Sequence, residues 1–89
     1  MKFSDNYICR KICGETLIVP VGEKTKEYNG IFTLSETGDF LLRAFIDGAD
    51  AAAAAKKLAE EFEIDDDGAR RDVDEFLAQL IAFGVLINE

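Results

Sequence analysis

The sequence contains no histidine and only two cysteines, Cys9 and Cys13. It therefore lacks the commonest metal ligand in proteins and the usual general base at neutral pH. A zinc site would need two more Cys or His ligands, and a cysteine nucleophile would have no evident base. We therefore expect no metal, no cofactor and no catalytic activity. The ordinary interpretation of the two thiols is that they are buried or half-buried side chains.

Long apolar runs and an excess of basic residues are also missing. No run approaches the length of about 18 residues that a membrane-spanning helix requires, and the N-terminus lacks the apolar core of a signal peptide. We therefore expect a cytoplasmic protein without a membrane partner. The net charge of −8 argues against a nucleic-acid partner, because lysine and arginine supply most of the affinity for phosphate backbones.

The length and composition of the 89-residue chain indicate a single domain over residues 1–89. Apolar residues make up 48% of the chain and include seven phenylalanines and two tyrosines, which is enough to exclude disorder. Charged residues make up 31%, which leaves a well-solvated surface. A chain of this length can fold alone around a modest core.

The first part of the chain has the residue pattern of β-strands. Residues 7–12 and 16–21 are β-rich and flank a short connection that contains Gly14, which is typical of a hairpin. Pro20 cannot donate a ladder hydrogen bond, so it should lie at a strand end or a sheet edge. Residues 22–29 are polar and are predicted to form a loop, and residues 30–34 are predicted to form a third strand.

The rest of the chain predicts three helices. Ser35 and Asp50 are good N-caps for the first two, and the carboxylates of residues 65–67 favour the start of the third. The helices should cover about residues 36–47, 51–62 and 67–83. This order predicts an α+β fold with a winged-helix-like outline, in which a three-stranded antiparallel sheet is followed by three helices.

A sheet edge in such a fold offers a way to bind a peptide. If the third strand lies at an edge, its main-chain groups can accept one more strand, and the third helix would form the opposite wall of a groove. One stripe of that helix, with spacing i, i+4, i+7 and i+11, consists of Arg70, Asp74, Leu77 and Ile81. The alternative is that Leu77 belongs to the core and that the arginines pair with Asp74 and Glu75 along the helix.

Three segments together resemble a known family, the PqqD-like proteins, over residues 7–86. They are residues 19–22, residues 29–38, which end in Thr-Leu-Ser-Glu-Thr-Gly, and a set of positions in and after the third helix. The family's namesake serves in pyrroloquinoline quinone biosynthesis, and its fold recurs as the recognition element of ribosomally made, modified peptides. The positions of the third set are Ala69, Asp72, Val73, Phe76, Leu77, Leu80 and Gly84.

The resemblance implies a non-catalytic peptide chaperone. Such a protein would bind the leader of a precursor peptide as an added β-strand and present it to a modifying enzyme, such as a radical SAM protein. The implied main-chain contacts are Gly30, Ile31, Phe32, Thr33 and Leu34. The implied side-chain contacts are Arg70, Val73, Asp74, Leu77 and Ile81.

Two other interpretations stay open at this point. The protein could be an adaptor that docks on an enzyme without a leader peptide, or a homodimer that pairs its own sheet edge. The charge of a leader also stays open. The acidic balance of the chain favours a basic leader, whereas Arg70 and Arg71 would meet an acidic one.

Overall fold

The computed structural model describes residues 2–22 and 32–87, which form five strands and three helices. The strands are β1 (Lys2–Phe3), β2 (Tyr7–Ile12), β3 (Glu15–Pro20), β4 (Phe32–Leu34) and β5 (Leu86–Ile87). The helices are α1 (Glu36–Ile46), α2 (Ala51–Phe62) and α3 (Asp66–Ala82).

Strands β2 and β3 form the predicted hairpin. Their connection consists of Cys13 and Gly14, whose φ angles are 53° and 81°. Positive φ at both positions is the combination that a type I′ turn requires, and this turn matches the right-handed twist of the strands. The pairing runs from Ile12 with Glu15 to Tyr7 with Pro20, so Pro20 closes β3 at its end, as expected.

Strand β4 pairs with β3 and completes an antiparallel sheet in the order β2-β3-β4. Its register places Thr33 opposite Leu17 and Phe32 opposite Ile18. The predicted sheet followed by three helices, and with it the α+β fold class, is confirmed. Gly30 and Ile31, which the sequence also assigned to this strand, lie outside the described residues, as does most of the predicted loop.

The three helices begin at side-chain caps. Each cap has extended backbone and supplies an oxygen to an amide that has no partner within its helix. The accepted amides lie three residues along the chain, at 2.8–3.1 Å: Ser35 accepts from Gly38, Asp50 from Ala53 and Asp65 from Gly68. Since these caps are local features, the predicted helix starts are confirmed to within a residue.

The core lies between the helices and one face of the sheet. Side chains alternate between the faces of a strand, and β3 accordingly buries Thr16, Ile18 and Pro20 while its other residues are more exposed. Phe45 of α1, Leu58 of α2 and other helical residues belong to the same buried cluster as Ile18, with 1% exposure or less. Burying a side chain of this size stabilises the fold by about 1.5–3 kcal/mol.

The two ends of the described chain pair with each other, which the sequence did not predict. Strand β1 is antiparallel to β5, with Phe3 opposite Leu86. The amide of Ser4 also donates to the carbonyl oxygen of Val85 at 2.8 Å. The sequence showed only a short apolar tail at residues 85–87. Two-residue strands have no detectable periodicity, so their pairing depends on the packing of the whole domain.

The expectation that both cysteines are buried or half-buried is wrong. Cys9 and Cys13 are free and exposed. Cys13 lies in the hairpin turn, and β2 is buried only at its first residue, Tyr7. The remaining residues of β2 are exposed, although the Cys9 thiol is partly covered.

We expect Ser35→Ala to lower the free energy of unfolding by about 1 kcal/mol, because the amide of Gly38 loses its cap. Urea denaturation of the purified protein measures this change. Ser35→Asp is the matched control, since its carboxylate can cap the same amide and should retain most of the stability. Equal stability of the alanine variant and the wild type would show that the cap contributes nothing.

Candidate functional site

A groove of about 450 Å³ lies between β4 and the C-terminal half of α3. Among the described residues, its lining contains no charged side chain and is mainly apolar and aromatic. The lining residues are Ile18, Phe32, Thr33, Leu34, Ser35, Phe76, Gln79, Leu80, Phe83 and Val85.

An aromatic cluster forms one end of the groove. The rings of Phe32 and Phe83 are tilted against each other with centroids 5.1 Å apart, and Tyr7 lies 6.3 Å from Phe32. The Tyr7 hydroxyl donates a hydrogen bond of 2.7 Å to the carbonyl oxygen of Phe83. Strand β2 therefore fixes the end of α3, although Phe83 keeps 38% of its surface exposed.

Strand β4 and helix α3 run in opposite directions along the groove. Phe32 at the start of β4 lies beside Phe83 at the end of α3. At the other end, a methyl group on Gly38 would lie 3.4 Å from Cε1 of Phe76. Three residues of strand and seven residues of helix each span about 10 Å, so the two walls match in length.

The outer edge of β4 supplies backbone hydrogen-bonding groups beside this groove. One edge of β4 pairs with β3, and no strand within residues 2–22 and 32–87 pairs with the other. An edge presents backbone donors and acceptors at a spacing that another extended chain can match. Backbone pairing and a side-chain groove therefore lie next to each other, which is the arrangement of sites that bind extended peptides.

The predicted strand contacts fall partly into this groove. Phe32, Thr33 and Leu34 line it, whereas Gly30 and Ile31 lie outside the described residues. The predicted helix contacts do not line it. Their stripe is rotated by roughly 140° around α3 from the residues that face β4, at about 100° per residue.

The side chain of Val73 has no exposed surface, so it lies in the core and not in the groove. Leu77 is half-buried and packs against the core, as the alternative interpretation held. Ile81 keeps 48% of its surface exposed on the flank of α3 away from the groove.

The charged members of the stripe lie on that same flank. Arg70 donates through Nε to Asp74 at 3.1 Å, which is the pairing along the helix that the alternative predicted. Arg70 also lines a separate depression with Asp66 and with Lys56 of α2. Within the described part of the chain, Arg71 and Glu75 form no corresponding salt bridge.

The sequence did not predict which residues of α3 face β4. Phe76, Gln79 and Phe83 repeat with spacings of three and four, so they share one flank. Helical periodicity assigns the two phenylalanines to the core face and gives Gln79 no role. The available signal was a polar residue flanked by aromatic residues at helical spacing, which indicates the border between core and solvent.

A second depression of about 190 Å³ continues the groove towards the N-terminus of α3. The two share Ser35, Phe76 and Gln79. Of the described residues, the only charged ones that line the second depression are Asp72 and Glu75, both exposed and both acidic. The site as a whole is therefore apolar at the Phe83 end and acidic at the other.

Other kinds of site are not visible in the described ranges. Among residues 2–22 and 32–87, no group of three or more His, Cys, Asp or Glu side chains could hold a metal ion. Within the same ranges, no helix is long and apolar enough to cross a membrane.

Comparisons with known proteins agree with this architecture. The sequence model of the family described as "Coenzyme PQQ synthesis protein D (PqqD)" matches residues 15–86. The chain therefore belongs to the PqqD family, as its resemblance indicated. Comparison with curated protein sequences gives no match.

A solved structure described as "TbiB1 in Complex with the TbiA(beta) Leader Peptide" is similar to the protein. The TM-score is 0.80 and the sequence identity 20%, and the match covers 100% of this chain and 98% of the other. At this identity the similarity establishes a shared fold.

We expect Val73→Ala to lower the free energy of unfolding by about 2 kcal/mol, because it removes two buried methyl groups and leaves a cavity. Ile81→Ala is the control from the exposed flank and should change stability by about 0.5 kcal/mol or less. Thermal and urea denaturation measure both. A stable Val73→Ala variant would make Val73 a candidate contact residue again.

Proposed function

We propose that the protein is a non-catalytic recognition element that binds the leader of a ribosomally made precursor peptide. The leader adds to the outer edge of β4 as a further strand and places alternate side chains in the groove against α3. The protein thereby raises the effective concentration of the precursor at a modifying enzyme. A radical SAM protein is the partner enzyme that the family resemblance suggests.

The observation that carries this proposal is the position of a groove, whose described lining residues are uncharged, directly along the edge of the described sheet. An added strand satisfies its backbone groups by pairing with β4, and its inward side chains fill apolar space beside Phe76 and Phe83. Membership of the PqqD family supports this function. The fold shared with a protein whose structure contains a leader peptide supports it as well.

The thiol at Cys9 lacks the properties of a nucleophile, which supports a non-catalytic role. Partial burial raises the pKa of this thiol, and the Asp39 carboxylate raises it further, against a smaller lowering by Arg43. A raised pKa keeps the thiol protonated at neutral pH, whereas nucleophilic cysteines require the thiolate.

The backbone part of the proposal can be tested without changing the protein. The probe is a synthetic peptide encoded by a short reading frame beside the gene, N-methylated at one residue at a time. In an added strand every second N–H points at the neighbouring strand. Methylation there should weaken binding about tenfold or more, whereas methylation of the intervening residues should change it little.

Isothermal titration calorimetry measures each affinity. The NMR chemical shifts of the Thr33 and Leu34 amides in isotope-labelled protein report where the peptide binds. The expected result is an alternating pattern of strong and weak effects over at least four residues. A uniform effect of methylation, or binding that leaves the β4 amides unshifted, would contradict strand addition.

The side-chain part of the proposal is tested by two exposed residues on opposite flanks of α3. Phe83→Ala should weaken binding of the same peptide about tenfold, because the aromatic end of the groove opens. Ile81→Ala removes a comparable exposed side chain and should leave the affinity unchanged. Equal losses of affinity in the two variants would mean that the peptide does not bind preferentially to the groove flank of α3.

An edge-paired homodimer is the second candidate, because β2 also lies at an edge of the described sheet. Ile8 and Ile12 on this strand keep 36% and 51% of their surfaces exposed. The molar mass in solution with and without the peptide separates the cases. A dimer that persists with the peptide bound would support pairing at β2, whereas one that dissociates as the peptide binds would place the self-association at β4.

A further inference from the structure

The groove and the acidic depression adjoin each other, because Ser35, Phe76 and Gln79 line both. We propose that this site selects leaders that carry an apolar side chain and, about four residues away, a lysine or arginine. This inference rests on the function proposed above and names the class of peptide that the site accepts.

The apolar side chain belongs at the end of the groove that Phe32 and Phe83 form. No described residue that lines this end is charged, so a charged leader side chain there would lose hydration without gaining a partner. The exposed face of Phe83 offers a contact for an aromatic or branched aliphatic side chain, whose burial is favourable in proportion to its area.

The basic side chain belongs at the other end, beside Asp72 and Glu75. These two carboxylates line the depression that shares Phe76 and Gln79 with the groove. Neither forms a salt bridge with a described residue. A guanidinium or ammonium group would therefore find both carboxylates available, and glutamate or aspartate would be repelled by them.

Among the described residues, no lysine or arginine forms a salt bridge with Asp72 or Glu75. Arg70 is paired with Asp74 on the other flank of α3, and Arg43 is paired with Asp39 at 3.1 Å. Arg71 lies one helical turn from Glu75 without forming a salt bridge to it. Beyond the end of β4, Lys11 lines a separate depression together with Glu36 and Asp39.

The length of the site sets the spacing between the two leader residues. Phe83 and Glu75 are eight residues apart on α3, which corresponds to about 12 Å. Four residues of an extended peptide span about 13 Å, and residues i and i+4 point to the same face of a strand. An apolar side chain and a basic one at this spacing can therefore enter the two ends together.

The net charge of the chain also favours a basic leader. The chain carries a net charge of −8, and a field of this sign accelerates the encounter with a cationic peptide. Local pairing then decides the register. An exposed ion pair changes affinity by about two- to fivefold, so the two carboxylates together should contribute about three- to tenfold.

The test is a selection of phage-displayed random dodecapeptides on the immobilised protein. Enriched peptides should combine an aromatic or branched aliphatic residue with Lys or Arg four residues away, in one direction along the peptide. The Asp72→Asn/Glu75→Gln variant should keep the apolar preference and lose the basic one. The control Glu60→Gln/Glu61→Gln makes the same change in net charge on the exposed surface of α2, away from the groove, and should retain both preferences.

One enriched peptide and its Lys→Gln counterpart then provide affinities by fluorescence polarisation. The lysine peptide should bind the wild type about three- to tenfold more tightly, and this advantage should shrink as NaCl rises from about 0.05 to 0.5 M. It should vanish in the Asp72→Asn/Glu75→Gln variant and persist in the control variant.

The outcomes separate this inference from the function on which it rests. Enriched peptides could require Phe83 for binding and shift the amide resonances of β4, yet show no preference for a basic residue or prefer an acidic one. This result would overturn the proposed charge preference alone. An equal loss in the control variant would attribute the preference to net charge and would also overturn it. Failure to enrich any peptide that depends on Phe83 would overturn the groove together with the proposed function.

Discussion

The hydrogen bond from the amide of Gly38 to the Ser35 hydroxyl is the local constraint on which the groove depends. Strand β4 ends at Leu34 and α1 begins at Glu36, so Ser35 alone connects them. A connection this short permits few relative orientations of strand and helix, and the cap selects one of them. The edge of β4 is therefore held against the helices, and a peptide that pairs with it meets a wall of fixed position.

Helix α3 serves two functions with adjacent flanks. Ala69, Val73 and Leu80 are buried in the core, and the neighbouring flank of Phe76, Gln79 and Phe83 borders the groove. A peptide that packs on this flank extends the core instead of forming a separate interface. This arrangement limits the cost of binding, because burial of the adjacent core flank already fixes the helix before the peptide arrives.

The parts of the structure that the sequence predicted are those fixed by local chemistry. Caps such as Asp50, the turn at Gly14 and the end of β3 at Pro20 each depend on residues a few positions apart. The pairing of β1 with β5 and the hydrogen bond from Tyr7 to Phe83 join residues more than 70 positions apart. No local pattern encodes such contacts, so the flank of α3 that faces β4 could not be identified from periodicity alone.

Main-chain pairing with β4 cannot by itself distinguish one leader from another. The described strand has three residues, about 10 Å, and an added chain places a side chain on the groove face every 6.6 Å or so. The apolar groove can therefore contact about two leader side chains, and an apolar contact discriminates weakly between residues of similar size. A protein that must choose its precursor among other cellular peptides needs contacts of another kind. Charged groups meet that need, because a mismatched sign is penalised whereas a mismatched methyl group is tolerated. Since Asp72 and Glu75 line the depression next to the groove, they are the charged residues of the described chain best placed to provide that second criterion.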